Sequence, residues 1–265
     1  MKKALYTVTI ILLLLVFGFS AFQVIDYFVE AKEQADRFDS LSQIKQEVKD
    51  AATDPTKATE GDPDSTEPTG ETEPVMLPEY AALYEINDDL VGWITIEGTK
   101  IDYPVMQTPD QTNFYLKRNF DKQDSARGCI YVREECDVNE PSDNVTIYGH
   151  KMLDGSMFAG LHAYANKETW ENNALIFFDT LYEYHVYKIF AVFKTTASIG
   201  EGFSYHQFVD AQSEEDFDEF IQTIKGLAFY ETGITPEYGD KIICLSTCEY
   251  SQTNGRLVVA AVRIS

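Results

Sequence analysis

The chain predicts a mostly β domain, an eight-stranded β-barrel with peripheral helices, preceded by an N-terminal transmembrane helix and a stalk. Three observations carry that prediction. Eight segments between residues 91 and 264 are rich in β-branched and aromatic residues. Eight strands are too many for an open sheet with bare edges, and closing the sheet removes the edges. Residues 4–25, by contrast, contain no charge and directly follow Lys2 and Lys3. Composition then narrows the function classes. With 265 residues, 44% hydrophobic and 25% charged, the chain suits one globular domain with appendages. Its formal net charge of −23 repels polyphosphates and sets nucleic-acid partners aside.

Taken in order, residues 1–25 form a cytoplasmic tip and a transmembrane anchor. A helix rising about 1.5 Å per residue carries this stretch across roughly the 30 Å hydrocarbon core of a bilayer. Ser20-Ala21-Phe22-Gln23 offers no clear Ala-x-Ala site, which favours an uncleaved anchor over a cleaved signal peptide. The two lysines stay cytoplasmic, and everything after Asp26 lies outside. Residues 26–52 repeat Phe28, Ala31, Ala35, Phe38, Leu41, Ile44 and Val48 at helical spacing, an amphipathic stalk. A helix packed on its own domain suits this pattern better than a coiled coil, because the heptads are few and ragged. Residues 53–78 are an acidic, Pro/Thr-rich linker, expected to be extended and disordered, a tether.

The folded domain covers 79–265. A short helix over 80–86 follows Pro78. The strands are expected at 91–96, 101–106, 129–133, 144–148, 174–178, 184–195, 241–247 and 257–264, the first two joined as a hairpin through Glu97-Gly98-Thr99-Lys100. Helical stretches interrupt them at 157–165 and 214–227, the second opened by Ser213-Glu214-Glu215-Asp216, which resembles a capping box. Cys244 and Cys248 on one extended strand lie roughly 13 Å apart, beyond the roughly 7 Å reach of a disulfide. Cys129 and Cys136 could pair if the chain turns between them, but a reduced, structural reading is preferred.

Chemistry concentrates at Leu245-Ser246-Thr247-Cys248, where an apolar strand becomes a polar loop and leaves a thiol partly accessible. A cysteine nucleophile needs a base or ion-pair partner, and the chain holds four histidines. His185 lies within a strand pattern, His162 in mid-helix and His206 in a loop without a strand end beside it. His150 follows Gly149 at a strand terminus, where loops display catalytic groups, and ranks first. Asn254-Gly255 turns the chain so that Arg256 returns toward Cys248, where its fork of donors could bind a carbonyl or an oxyanion. Cys244 and Cys248 lack zinc-knuckle spacing and no EF-hand loop is present, so no metal or other cofactor is expected. A papain-like hydrolase is excluded by order, because its Cys precedes its His. A non-catalytic, membrane-tethered surface-binding barrel is the alternative from a different class.

These residues bring a family into view. Asn87-Asp88-Asp89-Leu90-Val91-Gly92-Trp93, Ile101-Asp102-Tyr103-Pro104-Val105, Tyr148-Gly149-His150, Leu245-Ser246-Thr247-Cys248 and Asn254-Gly255-Arg256, in this order and spacing, resemble the class B sortases, membrane-anchored cysteine transpeptidases of Gram-positive surfaces. The resemblance implies a sortase barrel with His150, Cys248 and Arg256 as the catalytic set. It also implies that the helix at 214–227 is the insertion separating class B from class A. Ser246 and Glu249, flanking the nucleophile, become candidates to line the sorting-signal groove. Leu116, in Thr112-Asn113-Phe114-Tyr115-Leu116, either walls the same groove or is an ordinary core leucine. The implied partners are secreted proteins with a C-terminal sorting motif, cleaved after Thr, and an amine of peptidoglycan or, alternatively, a pilin lysine. The implied place is the cell membrane, single-pass, with the catalytic domain outside. Two features depart from the family pattern: Cys129 stands where a small residue such as Ser is expected, and the acidic linker is longer than expected.

Overall fold

The structure is a computed structural model that describes residues 2–53, 74–198, 200–251 and 253–265. The expected tether therefore falls largely outside the described residues. The chain divides into two compact units, Met1–Leu41 and Ser42–Ser265. Helix α1 spans Lys2–Thr53, and its residues up to Leu41 form the first unit. Within Tyr6–Thr53 an 18-residue window has a mean hydropathy of 2.6 and none of it is buried, so the helix is long and apolar enough to cross a membrane.

The second unit begins with the last turns of α1. Lys45 lies 4.0 Å over the Trp93 ring and 3.6 Å from Asp102, which also accepts the indole N–H of Trp93 at 2.6 Å. Lys49 lies 4.6 Å over Tyr184. Helix α2 (Pro78–Tyr84) follows, with proline at its start, where the missing N–H leaves nothing unpaired.

Eight strands then close into a barrel. They are β1 (Leu90–Thr95), β2 (Asp102–Met106), β3 (Ile130–Val132), β4 (Asn144–Tyr148), β5 (Leu175–Thr180), β6 (Val186–Thr196), β7 (Ile242–Cys248) and β8 (Gly255–Arg263), in the closed order β1-β2-β3-β4-β7-β8-β6-β5. Every sheet edge is thereby paired, as the strand count predicts. Most neighbours are antiparallel, but β2–β3 and β4–β7 run parallel. The stretch expected as a helix at 157–165 is a 3-10 helix, Phe158–Ala165, entered through Met157 in a positive-φ conformation (φ 55°). Helix α3 (Lys167–Asn172), capped by the Asn166 side chain, was not expected because its six residues carry too little periodicity to read.

Helix α4 (Glu214–Leu227) opens where Ser213 Oγ accepts the Asp216 N–H at 3.2 Å. Its buried stripe, Phe217, Phe220, Ile221 and Ile224, has the spacing of one helical face. That face joins a cluster with Phe190 and Phe193 of β6, Cys244 of β7 and Val258 and Ala260 of β8. Strands β7 and β8 are consequently buried almost throughout, with no alternation left in their burial pattern. All four cysteines are free thiols, so Cys129 and Cys136 are not bridged.

Candidate active site

Strand pairing brings three segments to one rim. In the parallel β4–β7 pair, Tyr148 stands beside Ser246, so both strands end at the same side of the barrel. His150 lies two residues past β4, and Cys248 is the last residue of β7. In the antiparallel β7–β8 pair Cys248 faces Arg256 directly, so the start of β8 arrives at that rim as well. Asn254 makes the turn possible by taking the left-handed conformation (φ 52°). The loop is held to the end of β6 by Ala197 N–H donating to Asn254 O at 2.9 Å and Thr196 Oγ1 donating to Thr253 O at 3.0 Å.

His150 is placed by its surroundings on several sides. A Cβ on Gly149 would lie 2.5 Å from Ile130 Cδ1 and 2.6 Å from the Phe158 ring, so only glycine lets the chain leave β4 this close to the core. Beyond it, the loop is closed by Phe158 N–H donating to His150 O at 2.9 Å and by the buried Arg127, whose guanidinium pairs with Asp154 and donates to Ser156 Oγ at 2.6 Å. His150 Nε2 lies 2.8 Å from Leu116 O. A carbonyl only accepts, so Nε2 carries a proton, and in the neutral ring the other nitrogen is the base. A Cβ at residue 128 would meet the same carbonyl at 2.6 Å, which explains Gly128 at this point.

The electrostatics favour an ion pair. Hydrogen bonding to His150 is the main cause that lowers the Cys248 thiol below its ordinary value, with the Arg256 and Lys151 charges helping and burial opposing. His150 is raised, first by that same bond and then by the Leu116 carbonyl, against burial and the Arg256 charge. By comparison Cys136 is pushed up to about 11 by burial, and Cys129 and Cys244 are pushed up further by the same cause. Only Cys248 combines access with a lowered thiol.

These groups border a cleft of about 380 Å³. His150, Cys248 and Arg256 line it together with Leu116, Ser246, Tyr131, Tyr148, Tyr205 and His206. Arg256 Nη1 donates to Gly255 O at 3.0 Å, within its own loop, which restrains the guanidinium beside the cleft. Leu116 is half-buried in the cleft wall and Ser246 is 1% exposed, its hydroxyl sharing a 2.6 Å hydrogen bond with Tyr205. Glu249 does not line the cleft. Its carboxylate accepts the Ser251 N–H at 3.0 Å and pairs with Lys194 at 3.1 Å, and these partners hold it down to a pKa of about 2. Of the other histidines, His185 sits 3.5 Å from Glu183 in a separate cleft with Arg263 and Ser265. His206 is in the site, edge-on to Tyr205, and His162 places Nε2 3.0 Å from Cys248 O. Sequence reasoning missed the Leu116 carbonyl because every residue has one, and missed His162 because its spacing to Cys248 carries no local signal.

Comparisons with known proteins agree with this geometry. A family model described as the sortase domain matches residues 94–264. The chain is 26% identical over 264 residues to sortase B of Staphylococcus aureus (strain NCTC 8325 / PS 47), covering 98% of this chain and 97% of that protein. It is 34% identical over 184 residues to sortase B of Listeria monocytogenes serovar 1/2a, covering 68% of this chain and 72% of that protein. Among solved structures, a Staphylococcus aureus sortase B–substrate complex matches with a TM-score of 0.74 at 26% identity, covering 89% of this chain and 99% of that one. The closed barrel, the order of its motifs and these likenesses agree, and the chain belongs to the sortase family of cell-wall transpeptidases, within class B.

Proposed function

We propose that this sortase is anchored in the membrane by residues 1–25, with Lys2 and Lys3 cytoplasmic, residues 26–52 as stalk, 53–78 as tether and 79–265 as an extracellular catalytic domain. It cleaves a C-terminal sorting signal after Thr through a Cys248 thioester and passes the protein to an amine of peptidoglycan. The observation that carries this reading is the meeting of Cys248, His150 and Arg256 at one rim, with the thiol lowered and the imidazole raised by their mutual bond.

In this reading the Cys248 thiolate attacks the threonine carbonyl carbon. The charge that develops on oxygen is met by the Arg256 guanidinium, already charged and restrained by its own loop. His150, as imidazolium, protonates the departing amine as the C–N bond breaks, leaving the thioester and a neutral ring. The incoming amine then attacks the thioester, gives its proton to His150, and the Cys248 thiolate leaves. The Leu116 carbonyl orients the ring throughout, because it accepts the Nε2–H hydrogen bond in both charge states. Leu116 and Ser246 serve as groove-lining residues. Glu249 holds the loop after the nucleophile through Lys194 and Ser251.

Mass spectrometry of the full chain in detergent, incubated with a library of Thr-containing sorting peptides, tests the reading. The expected result is an acyl adduct on Cys248 that ends at Thr and is released by a peptidoglycan-like amine. Release by a pilin-like lysine peptide alone replaces the acceptor, and absence of any adduct rejects the chemistry.

A further inference from the structure

We infer that His162 is a positioning residue for the nucleophile, acting through the main-chain carbonyl of Cys248. The inference rests on the reading of Cys248 as the attacking thiol. It starts from the way β7 runs out of partners at its end. Toward β8, Glu249 N–H donates to Gly255 O at 2.9 Å. Antiparallel pairs alternate between hydrogen-bonded and non-bonded, so the neighbouring Cys248–Arg256 pair is the non-bonded kind and the Cys248 carbonyl points away from β8. Toward β4, Gly149 N–H donates to Ser246 O at 3.1 Å. The next position that could serve Cys248 O lies past His150, where the chain has already left the barrel for its loop.

His162 takes that place. It stands on the 3-10 helix Phe158–Ala165, which touches both β7 and β8, and its Nε2 lies 3.0 Å from Cys248 O. A carbonyl cannot donate, so the imidazole does, through an Nε2–H. Burial holds His162 below its ordinary pKa, the charges of Lys151 and Lys194 act in the same direction, and the Cys248 carbonyl and Glu249 oppose them. These influences favour the neutral ring, which orients the nucleophile without adding a charge beside it.

The consequence falls on the sulfur. Holding the Cys248 carbonyl sets the peptide plane and with it the direction in which Cβ presents Sγ to His150. The His150 bond is the main cause of the lowered thiol, so a residue turned off that direction loses thiolate.

The test compares His162→Leu, which keeps bulk but has no donor, with His162→Gln, whose side-chain amide can donate, in the full chain in detergent. Thioester formation and the pH profile of Cys248 alkylation by iodoacetamide are measured at several peptide concentrations, with thermal unfolding to establish that each variant is folded. His162→Leu is expected to slow thioester formation about tenfold, the scale of one hydrogen bond, at unchanged peptide KM, and to move the alkylation midpoint to higher pH. His162→Gln is expected to restore most of the rate and the midpoint. A folded Leu variant with the wild-type rate and midpoint overturns the inference, as does a Gln variant as slow as Leu. Should the unaltered chain form no thioester, the functional reading fails by itself, while the alkylation midpoints still decide whether His162 positions the thiol.

Discussion

Cys244 and Cys248 lie four residues apart on one strand and behave as two different chemical groups. Cys244 is fully buried between the barrel and α4, among Phe217, Ile224 and Val258, and burial pushes its thiol far up. Cys248, where the strand leaves its cover, meets His150 and Arg256, and its thiol is lowered. The wall and the rim of one barrel thus give the same side chain a raised thiol in one place and a lowered, accessible one in the other. Position along the strand decides reactivity, because it decides whether the thiolate finds a partner or only apolar neighbours.

The largest effect is expected from exchanging the two cysteines' fates. Cys248→Ala abolishes acyl-enzyme formation by mass spectrometry, whereas Cys244→Ala retains it and loses about 1 kcal/mol of stability. A Cys244→Ala variant without acylation would break the distinction between wall and rim.

Next come two substitutions that cross the same divide. Arg256→Ala is expected to slow acylation about a hundredfold with little change in unfolding, as for removal of an oxyanion donor. Phe217→Ala, on the buried face of α4, is expected to destabilise by about 3 kcal/mol in denaturant titrations while leaving the alkylation midpoint of Cys248 in place. A Phe217 variant with a shifted midpoint would show that the wall tunes the rim.

The smallest effect is a displacement in pH. A thiol lowered by His150 and Arg256 should reach half its maximal alkylation rate below the ordinary value of about 8.5. His150→Ala removes the main lowering cause and should move that midpoint upward, with Arg256 and Lys151 still acting. A midpoint that stays put would reassign the depression to the Arg256 and Lys151 charges.

How far the sequence could be read follows from which of its signals are local. The strands were legible because β-branched and aromatic runs such as Val186–Thr196 and Ile242–Cys248 favour a pleated surface. Helix α4 was legible from Ser213 and the stripe of Phe217, Phe220, Ile221 and Ile224. The short α3 and the 3-10 geometry of Phe158–Ala165 were not, since six residues or a positive φ at Met157 leave no periodic trace. At the cleft, the grouping of Cys248, His150 and Arg256 was legible from strand ends and a turn, whereas the Leu116 carbonyl and the His162 donor were invisible.

What the chain determined by itself is its inventory: an apolar span, eight strands that need closure, and a thiol, an imidazole and a guanidinium each set where a strand meets a loop. Tertiary structure alone decided which strands are neighbours. That β4 lies parallel to β7 joins residues roughly a hundred positions apart. No local preference for strand conformation records a partner at that distance, because hydrogen bonds between strands form only after the barrel has chosen its order.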